Sequence, residues 1–259
     1  RLVFAGLAFA AVLLAALCGL FAAKRRTRAV PDSDPGDEPV SNRDVIRSRD
    51  LWLLALFLFA KYGSQVAFQG LWGAPYIASV YGVTPTTAAT AVTMIAAGYV
   101  VAAPFIGRLA DIMAARGMNL MAAQRRLLIA TTLLYVATWV PIVLAPGLLP
   151  LGAMYVLLFV MGMSVSSAGL VFGIAKDLFP AKVSGLAIGL VNITSILGGA
   201  AMPPVVGWFI RRLTAAGIQG GAVYSGAMIP CLLAACVGLI LLSMVGKPSG
   251  RRLRPGYPA

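Results

Sequence analysis

The chain has 259 residues, of which 60% are hydrophobic and only 11% charged, with a mean hydropathy of +0.89. Soluble domains run about 45–50% apolar and about 25% charged, so this composition excludes a soluble globular protein and puts the chain in the membrane class. The net charge of +13 gathers at the ends of apolar runs, a pattern of membrane topology and attraction to anionic lipid and not of a nucleic-acid surface.

Histidine is absent, which removes bis-histidine haem ligation, His-based zinc sites and imidazole proton relays. Cys18, Cys231 and Cys236 lie in apolar runs and form no CxxC pair, so they read as small buried hydrophobes. All eight carboxylates sit outside the apolar runs or at their boundaries. With no intramembrane acid and no nucleotide-binding loop, neither an enzyme nor an electron carrier is expected. No catalytic residue, metal ligand or cofactor is assigned.

A hydrocarbon core about 30 Å thick needs roughly 20 apolar residues of helix. Seven segments qualify: 2–23, 51–80, 86–110, 125–145, 150–175, 184–210 and 222–245. The first begins one residue from Arg1 and exits through "LFAAKRRTR", with charges after the apolar run as at a cytoplasmic helix end. The chain therefore reads as beginning inside a longer protein. Next comes "KRRTRAVPDSDPGDEPVSNRDVIRSRD", residues 24–50, a polar, Pro-containing linker. Residues 51–246 form a block of six helices, and 247–259 a basic tail. Gly/Pro punctuation separates the later helices, as in "YGVTP" (81–85) and "APGLLP" (145–150).

Orientation follows from Lys and Arg in the loops. The side where the first helix exits holds 17 of them, against three on the other side (Arg1, Arg211 and Arg212). That side is cytoplasmic by the positive-inside rule, so linker and tail are expected there. Arg211 and Arg212 depart weakly from the rule and fit a long helix ending in the far headgroups. The expected location is the cytoplasmic (inner) membrane of a bacterium.

Two motifs lie on this frame. "GRLAD", Gly107–Asp111, ends the third helix, with Arg116 beyond it. The glycine suits close helix packing, and Asp111 suits basic groups or a helix N-terminus. "AKDLFPAKVSGLAIGLVN", Ala175–Asn192, joins the fifth and sixth helices. Pro180 suits a turn, and Gly185 and Gly189 form a small-xxx-small face. One helix, a charged linker and six helices carrying these motifs resemble the second half of a major facilitator superfamily transporter. Ile112 departs from the family pattern, which has a basic residue there. The resemblance implies an all-α polytopic membrane protein with seven transmembrane helices: the last helix of an absent amino-terminal half, plus a six-helix half-bundle of two inverted three-helix repeats. It implies that the first two helices of each repeat line a cavity. The gating motif would comprise Gly107, Asp111 and Arg116.

The second helix carries the main anomaly. Lys61, Gln65, Gln69, Trp72 and Tyr76 advance by 4, 4, 3 and 4 and share one helical face. Counted from Trp52 as an interface anchor, Lys61 lies roughly 14 Å deep, near the midplane. Three readings remain open for it: contact with a solute, snorkelling to the interface, or a structural pairing. No carboxylate lies at its depth. The functional reading is that Lys61 meets an anionic or carboxylate-bearing solute, with Gln65 and Gln69 hydrogen-bonding beside it. Gly70, Gly73 and Pro75 predict a helix broken near its outer end, or a packing kink. Asn192 is a further candidate, because an amide in lipid needs a partner. Thr90, Thr93, Tyr99, Ser164, Ser166, Ser167, Thr194 and Ser195 are weaker ones, since back-bonding to the helix explains most membrane Ser and Thr. Pro203–Pro204 are expected to bend the sixth helix.

The function expected is a secondary active transporter moving a small solute by alternating access. Its partners would be that solute, the lipid bilayer and the absent half. The alternative is a non-transporting seven-helix sensor or scaffold.

Overall fold

A computed structural model describes Val12 and residues 40–246. The expected helix 2–23, the linker up to residue 39, the tail from 247 and Cys18 lie outside the described residues. Among the described residues every regular element is a helix. Six helices are long and apolar enough to cross a membrane: Arg49–Tyr81, Pro85–Ala115, Leu120–Leu144, Leu151–Asp177, Ala181–Ala215 and Gly221–Met244.

Local chemistry explains where they start and stop. A short helix α1 (Asn42–Arg47) opens on a capping box between Ser41 and Asp44. The first span comprises α2 (Arg49–Val66), a π-helical turn (Ala67–Trp72) and α3 (Gly73–Tyr81). It ends at Gly82, whose φ of 65° is the left-handed stop favouring glycine. Thr84 then caps α4 (Pro85–Ala115), with Pro85 at the first helical position. Asn119 caps α5 (Leu120–Leu144) by accepting the backbone N–H groups of Met121 and Ala122 at 3.0 and 3.3 Å. The fourth span is interrupted: α6 (Leu151–Val165) yields to α7 (Ala168–Asp177) across Ser166–Ser167. Pro180 opens α8 (Ala181–Ala215), and α9 (Gly221–Ala227) and α10 (Ile229–Met244) form the sixth span.

Several ends differ from the sequence expectation. The α5 helix begins at Leu120, five residues ahead of the expected span 125–145, so Arg125 and Arg126 lie well inside it. GRLAD lies one turn inside α4, which continues to Ala115. The 35 residues of α8 span about 52 Å, well beyond the hydrocarbon thickness. Arg212 thus falls in its last turn, with Arg211 just before it, and the Arg212 guanidinium stands 5.2 Å from the Trp208 ring.

Two close crossings set the packing. The first and fifth spans pack most extensively, followed by the second and fourth. A Cβ at Gly63 would stand 2.7 Å from the Gly198 carbonyl oxygen, and one at Gly198 would overlap the Phe59 carbonyl. Likewise a Cβ at Gly98 would overlap the Phe159 carbonyl, and one at Gly162 that of Ile95. These backbones touch because no side chain intervenes, which is how helices without a hydrophobic driving force gain contact in lipid. Gly107, Gly185 and Gly189 have no such role: an added Cβ there meets nothing within 4 Å among the described residues. Towards the end of the bundle where the first span finishes, Phe68, Tyr76, Tyr135 and Trp139 form a tilted and edge-on aromatic core.

The crossings generate a direct contrast. Gly98→Ala or Gly162→Ala forces backbones apart and should cost about 1–3 kcal/mol, whereas Gly185→Ala should leave the unfolding temperature within a degree or two of the parent. Thermal unfolding of the purified variants in detergent reads both. Equal tolerance of all three would contradict the crossings.

Candidate functional site

Pro75 has no N–H, so the first span cannot close an ordinary α-helical ladder one turn before it. The chain widens there into the π turn Ala67–Trp72, closed by the Gly73 N–H to the Phe68 carbonyl. Gly73 is required at that point, because a Cβ would lie 2.7 Å from the same oxygen. A π turn inserts an extra residue and turns everything beyond it out of register. The helix is therefore not broken but continues to Tyr81.

This widening divides the predicted five-residue face. Gln65 and Gln69 line a cavity of about 560 Å³, and the Gln65 Nε2–H donates to Gln69 Oε1 at 3.0 Å. Trp72 turns to α8, donating its Nε1–H to the Pro203 carbonyl at 3.0 Å. Tyr76 is fully buried and donates its hydroxyl to the Ile142 carbonyl at 3.0 Å. Neither ring is on the cavity wall.

Lys61 also leaves the cavity. Its side chain is 1% exposed, which excludes snorkelling. Nζ donates to Thr132 Oγ1, the Ser164 carbonyl and Ser167 Oγ, each at 3.2 Å. The Phe57 and Tyr135 ring centroids stand 5.7 and 5.6 Å away. Of the readings open from the sequence, the geometry is that of a pairing inside the bundle, made with neutral oxygens.

The cavity wall comes from the first, second, fourth and fifth spans. Asn192, Tyr99 and Ser195 lie on it, as does Tyr62; Tyr62 and Tyr99 are 38% and 41% exposed. Sequence reasoning missed Tyr62, although 62, 65 and 69 share a helical face; the adjacent lysine drew attention off it. Phe172 on α7 was also missed and lines the same wall. The remaining hydroxyl candidates back-bond to their own helices: Thr90, Thr93, Thr194, Ser164, Ser166 and Ser167 all donate to carbonyls three or four residues earlier. Gly107, Asp111 and Arg116 are exposed at the far end of α4 and do not touch the cavity.

Chemically, the described wall is uncharged. The Gln65–Gln69 bond leaves the Gln65 carbonyl oxygen as an acceptor and the Gln69 amide as a donor. Phenols, the Asn192 amide and apolar surface surround them. Such a wall offers hydrogen-bond donors and acceptors and ring faces.

Accessibility distinguishes this arrangement from the undivided face. In a background with the three native cysteines replaced, Gln69→Cys and Asn192→Cys should react with a membrane-impermeant thiol reagent in proteoliposomes, whereas Tyr76→Cys should stay unmodified. Reaction at all three positions would restore the single face.

Among known proteins, the Major Facilitator Superfamily matches residues 62–257, more than half of the chain, from within the first described span through the sixth. Among curated proteins nothing matches. The chain belongs to the Major Facilitator Superfamily, a family of membrane transporters.

Proposed function

We propose that this chain is the carboxy-terminal part of a secondary active transporter that moves a small solute by alternating access. Its domains on this reading are 1–23, a last helix of an amino-terminal half; 24–50, a cytoplasmic linker; 51–246, a six-helix bundle; and 247–259, a cytoplasmic tail. The carrying observation is the cavity of about 560 Å³, because among the described residues its walls come from the first, second, fourth and fifth spans. A second half facing that wall would close it around a solute.

The glycine crossings support two inverted repeats. Exchanging the first span with the fourth, and the second with the fifth, turns the first–fifth crossing into the fourth–second one. Both crossings are close glycine contacts of the same kind. The charge asymmetry of the loops supports a cytoplasmic linker and tail in a bacterial inner membrane.

The expectation of an anionic solute rested on Lys61. With Lys61 turned into the bundle, the wall speaks for a small polar solute with both donor and acceptor groups and a face that stacks on Tyr62 or Tyr99. Any charge on it is met by residues outside this wall. No observation favours the sensor reading over transport.

Flux into proteoliposomes of the full-length protein tests the proposal. Using a polar solute that the protein carries, Gln65→Ala and Gln69→Ala should each raise KM roughly twofold to tenfold, the loss of a neutral hydrogen bond, with the maximal rate largely kept. Ligand binding without flux would establish the sensor. Unchanged KM in both variants would remove these amides from the solute site.

A further inference from the structure

We propose that Thr132, Ser164 and Ser167 form an intramembrane site for an ammonium-type monovalent cation, and that Lys61 fills it with its own side chain. The site differs from the solute cavity, whose wall includes neither Lys61 nor these three residues.

The polarity of the cluster carries the inference. The Thr132 hydroxyl donates to the Leu128 carbonyl at 2.6 Å, and the Ser167 hydroxyl to the Ser164 carbonyl at 3.0 Å, while Ser167 Oγ accepts from the Thr131 hydroxyl at 2.7 Å and keeps one lone pair for Nζ. Each hydroxyl has one proton, and each has spent it on its own helix. Toward Nζ, both therefore present lone pairs alone. The third neighbour, the Ser164 carbonyl, is an acceptor by nature. Three acceptors at 3.2 Å match the three N–H donors of an ammonium. A neutral amine would turn a lone pair against one of them.

The Ser164 carbonyl lies in the last turn of α6, which ends at Val165, while Ser167 caps the start of α7, so the two helix dipoles oppose each other here and the acceptor atoms themselves set the local polarity. Two aromatic ring faces complete the surroundings at under 6 Å. The acids in the described spans stand only at span ends: Asp50, Asp111 and Asp177. Lone pairs and ring faces thus do the work usually given to a carboxylate.

The site also has a mechanical reach. Lys61 is on the first span, Thr132 on the third, and Ser164 and Ser167 flank the interruption of the fourth. Val165, Ala168 and Gly169 of that interruption lie on the cavity wall. A cation on one side of the turn thus fixes the surface that faces the solute on the other.

Truncating Lys61 to alanine removes three methylenes and the ammonium, the size of n-propylammonium. In the full-length protein, Lys61→Ala should unfold at lower temperature than the parent. Adding n-propylammonium should restore at least about 2 °C in a saturable manner, with no such gain for the parent. Neither n-propanol, which lacks the charge, nor tetramethylammonium, which lacks N–H donors, should reproduce it. Adding Thr132→Val and Ser167→Ala to the Lys61→Ala protein should abolish the rescue. Lys61→Met keeps the volume and gives a second test where the alanine protein fails to fold. A Lys61→Met protein as stable as the parent would overturn the proposal, as would rescue by propanol or rescue surviving loss of the two hydroxyls. These readouts involve no flux, so they stand or fall separately from the transport reading.

Discussion

A lysine side chain buried among apolar helices has to be answered by something polar, or the helix that carries it would not insert where it does. Insertion scales put the cost of a charge at helix centre at about 2.5–3.5 kcal/mol. Among the described residues the answer is a set of oriented neutral oxygens, not an acid. That requirement ties the first span to the third and to the interrupted fourth. It also fixes the rotation of α2. With Lys61 directed into the bundle, Tyr62, Gln65 and Gln69 occupy the cavity side. The backbone is held as well: the Lys61 carbonyl accepts from Ser64 at 2.9 Å, and Ser64 meets the Tyr135 hydroxyl at 2.8 Å.

The interruptions in the first and fourth spans then acquire a common logic. In each, the regular hydrogen-bond ladder fails at a place where the wall of the cavity is being shaped. In the first span the cause is Pro75, and the π turn absorbs it while Gln69 remains on the wall. In the fourth, Ser164, Ser166 and Ser167 satisfy carbonyls of the preceding turn with their own hydroxyls. Irregular backbone is tolerated at membrane depth only where protein or a cavity receives it. Both interruptions meet that condition, and both lie beside the cavity.

Much of the fold was legible in the sequence because membrane insertion imposes strong, one-dimensional constraints. Apolar length gave the six described spans, and Gly/Pro punctuation marked their turns, as at Gly82 and Pro85. Helix ends were less legible. Arg125 opens the expected span 125–145, yet α5 starts at Leu120, and Arg125 Nη2 donates to the Ser243 carbonyl at 2.9 Å. The candidate site was half legible. A rotation of 100° per residue grouped Gln65 with Gln69 correctly, but it cannot register the residue inserted by a π turn, so Trp72 and Tyr76 were assigned to the wrong side of the helix. Lys61 stood out because no carboxylate shared its depth; that lone-pair cages can replace one is a property of three separate helices, invisible until they are brought together. Glycine spacing shared this limit. Gly185 and Gly189 have the expected period, but contact needs a facing partner, and Gly63 finds Gly198 instead.

Two neighbouring environments stand apart, an uncharged cavity that we propose receives the solute and a cluster of oxygens that encloses Lys61. An electron cryo-microscopy map of the full-length transporter with a carried solute bound tests this most directly. Solute density should lie against Gln65, Gln69, Tyr99 and Asn192, with the Lys61 ammonium still enclosed by Thr132, Ser164 and Ser167. Density bridging the solute to Lys61, or a cavity empty of solute while another surface holds it, would contradict the account.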